Sequence, residues 1–104
     1  MTTKKKSTAM KFLDKVIGNE MTFGKNLEAI RLAGDYTQAE FAKKLKISQA
    51  HLSQLEKGVK AVSPERAKAF AKILGYSEVT FVELAIQDML TKSGIKARVH
   101  LEAA

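Results

Sequence analysis

Apolar residues recur every three to four positions from Phe23 to Leu90, and polar caps restart the pattern at intervals. Phe23, Leu27, Ile30 and Ala33 share one face of a helix expected over 23–33, with Thr22 as its cap and Gly34-Asp35 as its end. Thr37 and Glu40 have the spacing of a capping box, in which each side chain binds the other's backbone N–H. They open a helix over 37–45 that buries Phe41, Ala42 and Leu45. Ser48 caps a third helix, 48–57, with Leu52 and Leu55 inward and Gly58 as its stop. Ser63-Pro64 pairs a cap with a proline at the first helical position, where no N–H is needed. That helix, 64–74, turns Ala67, Phe70, Ala71 and Leu74 inward and ends at Gly75. Ser77 opens a fifth, 78–92. Its Val79, Phe81, Val82, Leu84, Ala85, Ile86, Met89 and Leu90 fill more than one stripe. One stripe is expected to cover the core and the other to meet a partner.

The period then changes. Ile95, Ala97, Val99 and Leu101 alternate with Lys96, Arg98, His100 and Glu102, the pattern of a half-buried strand. A lone strand leaves its backbone unpaired, and the simplest mate is the same strand of a second copy. A two-fold dimer built on helix 78–92 and the tail 94–104 is therefore expected, with Phe81, Leu84, Ala85, Ile95, Val99 and Leu101 at its interface. At the other end, residues 1–9 are polar and lysine-rich, and read as a disordered basic arm carrying Lys4, Lys5 and Lys6. Residues 10–21 hold an apolar cluster, Phe12, Leu13, Val16 and Ile17, that suits either one or two helical turns or a brief extended piece. The expected fold class is all-α: one five-helix domain over 10–93 with a C-terminal β-strand.

Composition narrows the function. A chain of 104 residues, 45% of them apolar, suffices for one domain with a modest core. The net charge of +7 is uneven: +3 over residues 1–35, +5 over 36–75 and −1 over 76–104. The basic middle suggests a polyanion partner, although a basic solvated surface has the same composition. There is no cysteine, and the two histidines, His51 and His100, lie far apart in sequence without paired carboxylates. No metal, cofactor or catalytic role is expected of them. No apolar run approaches the roughly 20 residues that span a bilayer, and no signal-peptide core follows the N-terminal lysines, so a cytoplasmic protein is expected.

Helix 37–45, a short turn and helix 48–57 form a helix-turn-helix, with small Ala42 where the second helix crosses. Packing leaves Gln49, Ala50, Ser53 and Gln54 on the outer face of the second helix, with His51 at its edge. A glutamine there can grip adenine through a donor and an acceptor in the major groove. The segment "TQAEFAKKLKISQAHLSQLEKG" resembles the Xre/Cro-type helix-turn-helix of the phage lambda repressor, over about residues 23–75. The resemblance implies a lambda-repressor-like domain that binds double-stranded DNA at a palindromic operator. It implies that Gln38 docks on a phosphate and that Gln49 reads bases, with Ala50, Ser53 and Gln54 at further groove-facing positions. Thr37, Ser48, His51, Lys57 and Lys60 are the further expected phosphate contacts. Arg31 and Glu56 match the family's buried ion pair, a structural role. Two positions depart from the pattern: Lys46 stands where glycine is usual in the turn, and Ala50 where glutamine often follows Gln49. Ala50 offers only a methyl contact to thymine, so base preference should differ from that of the phage repressors.

The compact size and terminal strand also resemble antitoxins of type II toxin–antitoxin modules, which repress their own operon and neutralise a co-encoded toxin. A stand-alone or phage-type repressor is the close alternative. A protein-interaction module that uses the fold without DNA is the alternative from another class.

Overall fold

A computed structural model describes residues 21–104. The expected arm, 1–9, and all of the apolar cluster at 10–21 except Met21 lie outside the described residues. Five helices follow: α1 (Phe23–Ala33), α2 (Gln38–Leu45), α3 (Gln49–Glu56), α4 (Pro64–Leu74) and α5 (Glu78–Lys92). Each opens on a hydroxyl cap, Thr22, Thr37, Ser48, Ser63 and Ser77, whose oxygen accepts the backbone N–H three residues on. The Thr37–Glu40 box is formed in both directions, at 3.1 and 2.9 Å.

One core serves all five helices. Phe23, Phe70 and Phe81 bring α1, α4 and α5 together, with the Phe23 and Phe81 rings edge to face at 5.6 Å. Phe41, Ala42 and Leu45 of α2 meet Leu52 and Leu55 of α3 in the same core. Ala33, expected on the buried face of α1, is exposed, because α1 buries Phe23, Gly24 and Leu27 and only partly covers Ile30. Phe81 and Ala85 are core residues, 2% and 1% exposed. They have no surface to give a second subunit, which corrects their expected place at a dimer interface. Of the second apolar stripe of α5, Val82 and Leu84 pack against the core. Val82, Leu84, Ile86 and Leu90 are half-buried, and Met89 stays exposed.

The expected C-terminal strand is absent among the described residues. Residues 95–104 run without a ladder, and side chains of α5 supply what a partner strand would have supplied. Gly94, at φ +76°, turns the chain back along α5. The Gln87 amide then grips the tail backbone twice, donating to the Ala97 carbonyl at 2.9 Å and accepting from Val99 N–H at 2.7 Å. Glu83 accepts from Leu101 N–H at 3.1 Å. The match is geometric. Four helical residues rise about 6 Å, nearly the advance of about 6.6 Å over two extended residues. The alternation of Ile95 to Leu101 does not make a strand: the tail begins with a tight turn, Ala97 N–H to the Ile95 carbonyl at 3.1 Å, and its backbone partners lie in cis on α5. A glutamine set within the apolar run of α5 was the sign available in the sequence; in the structure Gln87 is only 8% exposed.

Lys46 closes α2 with φ 64° and ψ 39°, the left-handed conformation expected for the usual glycine. Lys46→Gly should raise stability by up to about 1 kcal/mol, measured as a higher urea midpoint at unchanged slope.

Candidate nucleic-acid interface

The interface is built from a buried clamp and an exposed face. Arg31, near the end of α1, reaches Glu56 at the end of α3 through two parallel bonds: Nε to Oε2 at 2.8 Å and Nη2 to Oε1 at 3.0 Å. The two side chains are only 11% and 4% exposed. Arg31 Nη1 also donates to the Tyr36 carbonyl at 3.2 Å, tying the α1–α2 turn to the same guanidinium. This fixes α1, the turn and α3 as one unit. Gln38, at the first position of α2, joins them: its Nε2 donates to Glu56 Oε1 at 3.0 Å. Gln38 and the ion pair, expected to act separately, share one carboxylate.

With α3 held this way, Leu52 and Leu55 face inward, and Gln49, Ala50 and Gln54 are exposed on the outside. Ser53 and His51 are half-exposed beside them. Thr37, Ser48, Lys57 and Lys60 are exposed around the same two helices, and Gln38 is half-buried between them. The caps leave chemistry to spare. The Thr37 and Ser48 oxygens accept from Glu40 N–H and His51 N–H, and each hydroxyl hydrogen remains a donor. Both hydroxyls cap helix N-termini, the positive ends of the α2 and α3 dipoles, which suits a phosphate.

Three residues near the face were not anticipated. Gly24 lets α1 approach α3 closely; an added Cβ would lie within 2.9 Å of the carbonyl oxygens of Leu55 and Glu56. A glycine inside an otherwise apolar helix face was the sign of it. Arg66 of α4 and Lys60 lie close enough to His51 to act on its charge. The His51 pKa is lowered from 6.5, first by burial and then by the positive charges of Arg66 and Lys60. Val59, 69% exposed in the loop after α3, places an apolar side chain next to Lys60. Among the described residues, no group of three or more His, Asp or Glu side chains could hold a metal. No helix among them is long and apolar enough to cross a membrane.

A helix-turn-helix family model matches residues 27–81, just over half of the chain. The chain belongs to that helix-turn-helix family. A domain of this Xre-like type makes it a DNA-binding transcription regulator. The matched segment runs from Leu27 in α1 to Phe81 in α5, so it contains the clamp, the turn and the whole outer face of α3. Neither the curated proteins nor the solved structures gave a match to the chain.

Proposed function

We propose that this protein is a sequence-specific, cytoplasmic repressor that binds a palindromic operator as a homodimer, without catalysis and without a cofactor. One observation carries the reading: α3 is locked by the Arg31–Glu56 clamp while Gln49, Ala50 and Gln54 stand exposed on its outer face. An ordinary solvated helix needs neither a buried ion pair behind it nor a row of amide side chains in front. In this reading Gln49, Ala50, Ser53 and Gln54 meet base edges. Thr37, Gln38, Ser48, His51, Lys57 and Lys60 meet phosphates on either side. With Phe81 and Ala85 in the core, the dimer surface reduces to Leu84, Ile95, Val99 and Leu101; Ile95 is half exposed.

Selection of bound duplexes from a random pool tests binding, palindromy and half-site separation together. Gln49→Ala should weaken binding to the selected sequence by roughly tenfold and leave nonspecific binding nearly unchanged. Gln38→Ala should weaken both. Recovery of no sequence bias, or equal losses for Gln49→Ala on all duplexes, would remove base reading from α3. The antitoxin role rests on compact size, now without the terminal strand that also suggested it. Co-purification with the product of an adjacent reading frame tests that role; a solitary repressor brings down nothing from there.

His51 adds a pH dependence with a defined sign. Its pKa lies below 6.5, so it is neutral at pH 7. In the free protein, the unfolded state binds this proton more readily than the folded state. Stability is therefore fully present above pH 6.5 and falls as pH drops toward the lowered folded value. A neighbouring phosphate reverses the preference, so DNA binding should take up a proton and tighten as pH falls from about 7.5 to about 5.5. Anisotropy titrations across that range should show the trend in the wild type and lose it in His51→Gln. An identical profile in the variant would exclude His51 from the phosphate contact.

A further inference from the structure

The Glu56 carboxylate takes three N–H groups, two from Arg31 and one from Gln38. The ion pair alone would hold α1 to α3, so the third bond asks for its own explanation. An ionised carboxylate can only accept, so Gln38 must turn its NH2 group, not its carbonyl, toward Glu56. One N–H is thereby committed to Glu56, and the second N–H and the carbonyl oxygen are left for whatever lies outside. Glu56 is itself bonded on both oxygens by a guanidinium that also offsets the negative charge an approaching phosphate would meet. A surface glutamine would otherwise sample several rotamers and both amide orientations, and lose that freedom on binding.

We infer that Glu56 is a positioning residue for DNA docking that acts through Gln38: the Arg31-pinned carboxylate presets the Gln38 amide so that its remaining N–H meets a backbone phosphate already ordered. This rests on the DNA-binding reading above and adds to it a coupling between the buried clamp and one outer contact. A purely structural ion pair would support both helices without favouring any single contact.

A double-mutant cycle separates the two. The full chain, Gln38→Ala, Glu56→Gln and the double variant are titrated against the selected duplex by fluorescence anisotropy, each well below its own melting temperature. Gln38→Ala is expected to weaken binding on the order of tenfold, the scale of one hydrogen bond to a charged group. Glu56→Gln is expected to weaken binding about threefold to tenfold alone, and by less than about twofold when Gln38 is already alanine. Equal penalties in the two backgrounds would overturn the inference, as would a Gln38→Ala variant that binds like wild type. A second readout needs no DNA. The side-chain 1H–15N signals of Gln38 should be displaced from those of exposed glutamines in the wild type and merge with them in Glu56→Gln; signals that do not move overturn the inference too. Should Glu56→Gln not fold, Arg31→Lys takes its place with the same expectations, because lysine keeps the charge and loses the two-pronged grip. A wild-type chain that binds no duplex removes the DNA reading and the inference with it, whereas additive penalties remove the inference alone.

Discussion

Gly24→Ala is expected to destabilise the fold by about 3 kcal/mol, a large share of the roughly 5–15 kcal/mol typical of a small domain. The cause is local. An alanine Cβ at this position would crowd the carbonyl oxygens of Leu55 and Glu56, atoms of the α3 backbone that no rotamer change can move aside. Relief requires α1 to move away from α3, and that draws Arg31 off Glu56. Alanine's better helix propensity, at most about 1 kcal/mol, does not offset this. Gly34→Ala is the control. Its Cβ would meet Tyr36 ring atoms at 2.8 and 2.9 Å, but a half-buried ring can shift, so a loss under about 1 kcal/mol is expected. Urea unfolding of both variants checks the contrast, and similar midpoints for the two would show that α1 can separate from α3 at little cost. DNA affinity should fall with Gly24→Ala and hold with Gly34→Ala.

Most of this fold was legible because its punctuation is local. A hydroxyl cap precedes every one of the five helices, and in the first four the apolar spacing points to one inward face. Gln49, Ala50 and Gln54 could be placed outside α3 from Leu52 and Leu55 alone, since a helix that buries those two must expose the others. The sequence was less informative wherever a side chain replaced a backbone partner. Period-two alternation over 95–101 suggests a strand but cannot show what satisfies the backbone, and here Gln87 and Glu83 do so without a strand forming. Phe81 and Ala85 look the same on a helical wheel whether they face their own core or another subunit's. Only the position of α4 and α1 against α5 decides for the core. Likewise Asp88 accepts from Phe23 N–H at 3.0 Å, and Lys92 donates to the Gly58 carbonyl at 2.8 Å. These pairs lie too far apart in sequence for any spacing rule to join them.

Glu56→Ala should cost about 3 kcal/mol in stability, because it leaves the Arg31 guanidinium buried and charged without its counterion. The Tyr36 carbonyl at 3.2 Å and Glu28 at 4.0 Å keep some hold on it, which places the loss toward the lower end for a broken buried pair. Replacing both partners, Arg31→Met with Glu56→Leu, should recover most of that stability, since an apolar pair of similar volume carries no desolvation penalty. DNA binding gives the sharper expectation. If the clamp only holds α1 against α3, the apolar pair restores affinity along with stability. If Glu56 also presets Gln38, affinity stays depressed in the restored protein, because a leucine offers the amide no acceptor. Melting curves and anisotropy titrations on the same three samples therefore separate two roles that Glu56→Ala alone confounds. The expected pattern is recovery in the first measurement and none in the second.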